Sequence, residues 1–157
     1  MTDLETAREY GERIHYEEEG TGNSGHFYID RNGHVEQWVE PGRVAHHTRG
    51  YNDRSIGIEL VNTGRWPDWY QSDKQDMTEP YPADQIDALL VLLNALRVQL
   101  HRLHWIAGHE DLDKDMISAS DSPSWMVHRK VDPGPLFPWK QVLDSSGLVG
   151  FPGADHT

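Results

Sequence analysis

The last third of the 157-residue chain contains residue types that metal-assisted hydrolysis needs. His109 follows a short apolar segment, and Asp132 precedes a Pro-Gly turn, with Lys130 two positions before it. Imidazole nitrogen and carboxylate oxygen are ligands that a catalytic zinc ion takes. A lysine ammonium can stabilise the negative charge that develops when water attacks a carbonyl. This combination favours a hydrolase in which His109 and Asp132 hold a metal.

Each of these residues also has an ordinary structural interpretation, and the residues alone leave both open. The chain has ten histidines, so any one of them is more often a surface or core residue. Asp, Pro and Gly are the usual residues of a turn, and an isolated Lys130 is typical of a solvated surface. His109 stands out because it follows a predicted strand, and sheets present catalytic groups where strands end.

A second group of candidates lies in the middle of the chain. Glu59 alternates with Ile58 and Leu60, so its side chain points away from theirs. It is either a solvent-facing strand residue or a general base toward a metal-bound water. His47 and Asn52 belong to the polar loop before that strand, where they serve either turn formation or substrate hydrogen bonding.

An aromatic cluster follows in the loop after that strand. Trp66, Trp69 and Tyr70 either stack on a sugar or peptide, or anchor the loop to the core, which is the commoner use of such rings.

The elements that must position these residues follow from local patterns. Apolar residues spaced three and four apart predict helices over 3–18 and 83–103, and a closing helix begins at about 138. Strands are predicted at 26–30, 34–39, 55–62 and 104–107, with an Asn-Gly hairpin turn between the first two. Long polar loops are expected over 64–82 and 112–127. This order predicts an α/β fold with a mixed central sheet flanked by helices, as a single domain over 1–157 with a core of about 3–145 and a C-terminal tail over 146–157.

Composition excludes several classes of function. The net charge of −12 argues against nucleic-acid binding and against anionic membrane surfaces. The chain has no cysteine, which excludes thiolate metal ligands. Neither a secretory signal nor a membrane-spanning apolar run is visible. We therefore expect no membrane insertion, and a cytoplasmic location or release on lysis.

Four motifs carry a more specific resemblance. In order, they are GHFYIDRNG (25–33), HTRGYNDRSIGIEL (47–60), GHED (108–111) and RKVDPGP (129–135). Together they resemble the zinc-dependent N-acetylmuramoyl-L-alanine amidases, a family that includes anhydro-muropeptide amidases, phage lysozyme-type amidases and peptidoglycan recognition proteins. The aspartate at 132 and the glutamate at 59 look more like the anhydro-muropeptide branch.

The resemblance implies a reaction and a set of roles. His109 and Asp132 would ligate zinc, Lys130 would hold the oxyanion and Glu59 would assist the attacking water. The bond cleaved would be the amide between the lactyl group of N-acetylmuramic acid and L-alanine, and the partners would be peptidoglycan fragments, or muropeptides.

The chain also departs from the family pattern. The family takes its first zinc ligand from a histidine on a strand before the first helix, and we expect that N-terminal strand to be missing here. A less favoured interpretation is that His15, His26 or His47 completes the site. A missing strand would expose a sheet edge and favour self-association.

The departures open a second function. With an incomplete metal site, the alternative is a non-catalytic module that binds peptidoglycan or muropeptides. The presence of Lys130 and Glu59 argues against it, since a binding module needs neither. The segment 112–127 is expected to form a lobe at the rim of the cleft, and Gly25 stands where many relatives have a tyrosine beside the metal.

Overall fold

The computed structural model of the chain describes residues 3–12 and 22–154. Four helices and seven short strands occur within them. The helices are α1 Leu4–Glu12, α2 Ala83–Gln99, α3 His109–Leu112 and α4 Trp139–Ser146. The strands are β1 Phe27–Ile29, β2 Val35–Gln37, β3 Ile58–Leu60, β4 Trp105–Ile106, β5 Met116–Ser118, β6 Met126–His128 and β7 Val149–Gly150. The predicted α/β class, with mixed sheet and helices, is confirmed.

The first sheet has the strand order β2-β1-β3. The predicted hairpin is confirmed: β1 and β2 are antiparallel, and Gly33 takes a φ of 82° in the turn between them. Since a positive φ is strained for any residue with a Cβ, glycine suits this position. β3 lies parallel to β1, with Glu59 opposite Tyr28. All three residues of β1 are buried, as expected for a strand paired on both sides.

Helix α2 covers this sheet through an apolar stripe. Its buried residues Ile86, Leu89 and Leu93 pack with Ile29, Phe137, Val142 and Leu148 in the hydrophobic core. Gln85 is also fully buried, and its Nε2 donates hydrogen bonds to Ile29 O (2.9 Å) and Val61 O (3.0 Å). The helix ends at Gln99, four residues earlier than the apolar pattern predicts. No helix in the described part of the chain is long and apolar enough to cross a membrane.

The second sheet is separate from the first. β4 pairs in parallel with β7, which lies in the segment that the sequence analysis assigned to the tail. Within residues 3–12 and 22–154, β3 pairs only with β1 and β4 only with β7, so each has an edge without a neighbouring strand. A cavity of about 1140 Å³ is lined by residues of both strands and of α2. The central sheet is therefore divided in two.

The 112–127 segment corrects one prediction. Instead of a long loop, it contains most of a β-hairpin in which Met116 faces His128 and Ser118 faces Met126. Val127 is buried, whereas the strand residues on either side of it are exposed. The alternation is only three residues long in each strand, which is why a composition rich in polar residues concealed it from sequence reasoning.

Candidate metal and catalytic site

The predicted metal pair is brought together where β4 leads into α3. His109 is the first residue of α3, and its Nδ1 lies 3.1 Å from Asp132 Oδ2. The backbones meet as well, because Glu110 N–H donates to Asp132 O (3.0 Å). Gly108 permits this approach: a Cβ there would lie 2.7 Å from Pro133 Cδ. Two motifs that are 23 positions apart in sequence thus form one site.

The electrostatics of this pair favour an ionised Asp132. Burial opposes ionisation of Asp132, but the hydrogen bond from His109 and the positive charges of His109 and Lys130 hold its pKa well below the usual range. The carboxylate is therefore ionised at neutral pH. Ligand atoms on tetrahedral zinc, with bonds of about 2.0–2.1 Å, lie roughly 3.3 Å apart. The 3.1 Å between Nδ1 and Oδ2 is close to that separation. In addition, His109 Nε2 is buried and has no hydrogen-bond partner within residues 3–12 and 22–154.

His26 does not supply a third ligand in this structure. Gly57 N–H donates to its Nδ1 (3.0 Å), and its Nε2 donates to Arg43 O (2.9 Å). Because both ring nitrogens are engaged and the ring is 1% exposed, His26 acts as a bridge within the fold. His15 lies outside the described residues.

His47 is in a different situation. Its Nδ1 lies 3.1 Å from Thr48 Oγ1, while its Nε2 is buried and has no hydrogen-bond partner among the residues that the structure describes. Burial, followed by the nearby charge of His26, lowers its pKa to about 4, so the ring is neutral at pH 7. Even so, no three His, Asp or Glu side chains are grouped closely enough to hold a metal ion in the part of the chain that the structure describes.

Glu59 enters the same cavity from β3. Burial, and then the charge of Asp132, raise its pKa. A carboxylate with raised proton affinity is a better general base than an ordinary one. Gly25 makes room for it, since a Cβ there would lie 2.9 Å from Glu59 Cγ. Gly25, the position at which the family resemblance predicts a tyrosine, thus lies close to the Glu59 side chain.

Asn52 and Gly57 together position His47. Asn52 Oδ1 accepts hydrogen bonds from His47 N–H (3.0 Å) and Thr48 N–H (2.8 Å). The His47 ring lies directly over Gly57, where a Cβ would come within 2.5 Å of His47 Cγ. Asn52 therefore has a structural role in the loop, beside the substrate contact predicted for it. All six predicted site residues line the one cavity: His47, Asn52, Glu59, His109, Lys130 and Asp132.

Two residues that support the site were missed by sequence reasoning. Arg65 donates through Nη1 to His128 O (2.9 Å) and through Nη2 to Arg129 O (3.0 Å), just before Lys130. Tyr81 Oη donates to Pro133 O (2.9 Å), just after Asp132. The segment that carries Lys130 and Asp132 is thus held from both ends. No local pattern signals these roles, because the partners are more than 50 positions away.

Comparison with known proteins agrees with this geometry. The profile of the N-acetylmuramoyl-L-alanine amidase family matches residues 1–135. The chain belongs to this family. It is 36% identical over 106 residues to the N-acetylmuramoyl-L-alanine amidase AmiD of Escherichia coli (strain K12), a match that covers 67% of this chain and 32% of that protein. The chain therefore spans about a third of the length of this curated relative.

Solved structures give the same family. The complex of AmiD from E. coli with anhydro-N-acetylmuramic acid-L-Ala-D-γ-Glu-L-Lys superposes with a TM-score of 0.67 at 25% identity, covering 97% of this chain and 56% of that one. The amidase LysC from Clostridium intestinale URNW superposes with a TM-score of 0.59 at 20% identity, covering 87% and 72%. The second likeness shows the fold alone.

Proposed function

We propose that this chain hydrolyses the amide between the lactyl group of N-acetylmuramic acid and L-alanine in muropeptides or peptidoglycan, with zinc as cofactor. The observation that carries the proposal is the His109–Asp132 pair, which lines one cavity with Lys130 and Glu59. Family membership supports the reaction. The muropeptide in the AmiD complex supports this class of substrate.

The residues have distinct roles in the proposed reaction. His109 Nδ1 and Asp132 Oδ2 would hold zinc, which when bound supplies Lewis acidity and lowers the pKa of water. Glu59 accepts a proton from the attacking water as the water oxygen bonds to the amide carbon. Lys130 Nζ donates to the carbonyl oxygen as it gains negative charge. The C–N bond then breaks, and Glu59 returns the proton to the nitrogen of L-alanine.

His47 and Asn52 are proposed to hydrogen-bond the substrate. The buried Nε2 of His47 has no partner within the described protein, and its ring is neutral at pH 7. A neutral imidazole can accept or donate a single hydrogen bond at that atom, according to its tautomer. The loop that Asn52 braces places His47 in the lining of the cavity.

The test is release of L-Ala-D-γ-Glu-L-Lys from anhydro-N-acetylmuramic acid-L-Ala-D-γ-Glu-L-Lys, measured by liquid chromatography with mass detection in the presence of added zinc. We expect cleavage by the wild type and a loss of at least about 1000-fold in Asp132→Ala, because one metal ligand is removed. Lys130→Ala should lose about 100–1000-fold. Asp144→Ala is the matched control, since this carboxylate is exposed and pairs with Lys140 on α4.

A binding measurement on the same variants separates the enzyme from the alternative binding module. Isothermal titration with the intact muropeptide measures binding independently of cleavage. Binding without product at excess zinc, with affinity unchanged in Asp132→Ala, would favour the module and contradict the proposed hydrolysis.

Self-association also stays a proposal. The edges of β3 and β4 that face away from β1 and β7 pair with no other strand of the described chain, and such edges favour pairing between molecules. Light scattering coupled to size-exclusion chromatography would measure the oligomeric state directly.

A further inference from the structure

One exposed face of the β5–β6 hairpin carries two of the chain's four methionines. In the hairpin register, Met116 is opposite His128 and Ser118 is opposite Met126. Because alternate residues of a strand point the same way and opposite residues share a face, these four side chains form one surface. Met116 is 43% and Met126 is 48% exposed, whereas Val127 on the other face is buried. We call Met116, Met126 and His128 the methionine–histidine face.

The donor atoms of this face lie close enough to share one ion. Opposite residues of an antiparallel pair have Cβ atoms about 4.5–5.5 Å apart, and diagonal ones lie about 7–8 Å apart. Met116 is opposite His128 and diagonal to Met126. Met126 Sδ lies 3.8 Å from Ser118 Oγ, so this thioether leans across the hairpin towards β5. Since methionine has three rotatable side-chain bonds, both sulfurs can converge on the imidazole.

Packing and internal bonding do not account for these donor groups. Both methionines are nearly half exposed, so neither thioether fills a gap in the core. His128 is exposed as well, and its carbonyl, rather than its ring, accepts the hydrogen bond from Arg65 Nη1 (2.9 Å). In the described part of the chain, the face therefore presents two sulfurs and an imidazole to solvent.

The backbone of the hairpin holds the face in shape at both ends. Arg129 N–H donates to Asp115 O (2.9 Å) at the end that carries the imidazole. At the other end, Ala119 N–H donates to Trp125 O (2.8 Å). These bonds extend the strand pairing beyond the residues of the face. A backbone that is ordered in advance lowers the entropy cost of bringing ligands together.

The donor types indicate the class of ion. Thioether sulfur is a soft ligand that selects Cu(I), whereas Mg²⁺ and Ca²⁺ prefer carboxylate and carbonyl oxygen. Imidazole also suits copper. Residues 116–118 and 126–128 include no carboxylate. The neighbouring Asp115 lies 3.7 Å from Arg49 in an ion pair. The net charge of −12 further favours a cation over an anion.

We propose that Met116, Met126 and His128 form a binding site for a soft monovalent cation, Cu(I) or its redox-stable analogue Ag(I), through two thioether sulfurs and one imidazole nitrogen. The bound ion would cross-link β5 to β6. The site is distinct from the His109–Asp132 pair, whose nitrogen and oxygen donors suit zinc. It therefore does not depend on the proposed hydrolysis.

The test titrates silver nitrate into the full chain in chloride-free buffer. Isothermal titration calorimetry measures affinity and stoichiometry, and NMR of protein labelled with ¹³C at the methionine methyl groups reports which sulfurs bind. We expect one Ag(I) per chain, with shifts of the Met116 and Met126 methyl signals and none of Met77, which is buried. The single Met→Leu variants assign the signals.

The variants remove one ligand at a time. Met116→Leu and Met126→Leu keep an apolar side chain but lose the sulfur, and His128→Ala loses the imidazole. Each should weaken Ag(I) binding at least about tenfold, since even residues that only orient metal ligands change affinity by about 10–100-fold. Competition for Cu(I) against bicinchoninate, in ascorbate without oxygen, should rank the variants in the same order.

His101→Ala is the matched control, because His101 is exposed and follows α2, outside the hairpin. Its Ag(I) affinity should stay within about twofold of the wild type. The inference is overturned if Ag(I) leaves both methionine signals of the hairpin unshifted, if the Met→Leu variants bind like the wild type, or if His101→Ala weakens binding equally. The NMR result on the wild type decides the question even where a variant does not fold.

Discussion

The two parts of the divided sheet are built in different ways. In the three-stranded part, β1 is buried and paired on both sides, and Gln85 ties it to helix α2. In the two-stranded part, β4 and β7 form two residue pairs, and Trp105 and Val149 are 55% and 62% exposed. The first part draws its stability from burial and internal hydrogen bonds. The second part consists of two short strands that expose apolar side chains.

The candidate site takes groups from both parts. Glu59 comes from β3, whereas His109 begins α3, just after β4. Side-chain bonds from Arg65 and Tyr81 then hold the segment with Lys130 and Asp132 in place. The proposed proton acceptor thus lies on the three-stranded sheet, whereas the proposed metal ligands depend on loops braced by distant side chains.

The largest effect on stability is expected at Gln85. Gln85→Leu keeps the approximate volume but removes the donor to Val61 O, whereas Ile29 O keeps the hydrogen bond from Val61 N–H (2.9 Å). A buried unsatisfied group costs about 1–3 kcal/mol, so we expect a loss of up to about 3 kcal/mol in the free energy of unfolding, measured by urea denaturation. Val149→Thr in the two-stranded part should change it by less than about 0.5 kcal/mol. Equal losses of stability in the two variants would contradict the difference in stabilisation between the two parts.

Two neighbouring histidines, His26 and His47, allow a test of whether structural and functional roles are carried by different residues. The rings of His26 and His47 lie 5.6 Å apart, yet only His26 has both nitrogens bonded to backbone. His26→Ala should lower the free energy of unfolding by about 2–3 kcal/mol, whereas His47→Ala should cost about 1 kcal/mol. The rate of peptide release per folded molecule should fall more in His47→Ala than in His26→Ala. The reverse order would contradict the assignment.

The pH dependence of stability tests how Glu79 holds the ends of β1 and β3 together. Its carboxylate binds the Arg31 side chain after β1 and Thr63 N–H after β3. The hydrogen bond from Arg31 is the main cause that lowers its pKa to about 2, with the bond from Thr63 adding to it against burial. A lowered carboxyl pKa contributes stability above the unfolded value near 4.5, and this contribution is lost as pH falls towards 2.

We therefore expect Glu79→Gln to lose about 1–2 kcal/mol at pH 7, a figure reduced because the ion pair is partly solvated. The difference from wild type should shrink as pH falls from about 4.5 to about 2 in urea denaturation series. A difference that stays constant over that range would show that the charge of Glu79 is not what stabilises the strand ends.

The smallest effect is expected for an ion pair between the His47 loop and the β5–β6 hairpin. Arg49 Nη1 lies 3.7 Å from Asp115 Oδ2, with both side chains about 70% exposed. Exposed pairs contribute about 0–1 kcal/mol, so Asp115→Ala should change the free energy of unfolding by less than about 0.5 kcal/mol. A larger change that disappears in 1 M salt would mean that this surface contact joins the two sides of the cleft.

Local patterns predicted what depends on neighbours in sequence. The hairpin around Gly33 and the start of α2 are confirmed, because turn residues and apolar periodicity act over a few positions. The β5–β6 hairpin and the pairing of β7 with β4 were missed. Those strands are two or three residues long, too short for alternation to distinguish them from loops.

The sequence by itself determined which functional groups are present, namely a histidine, an aspartate, a lysine and a glutamate. Its motif spacing also indicated the amidase family. Only the tertiary structure decided how those groups are used. It engages both nitrogens of His26 and, in the described part of the chain, leaves Nε2 of His47 and of His109 unpaired. It also recruits Arg65 and leaves Trp66 exposed. The reason is physical: burial and hydrogen-bond satisfaction depend on partners far apart in the chain, which no local pattern records.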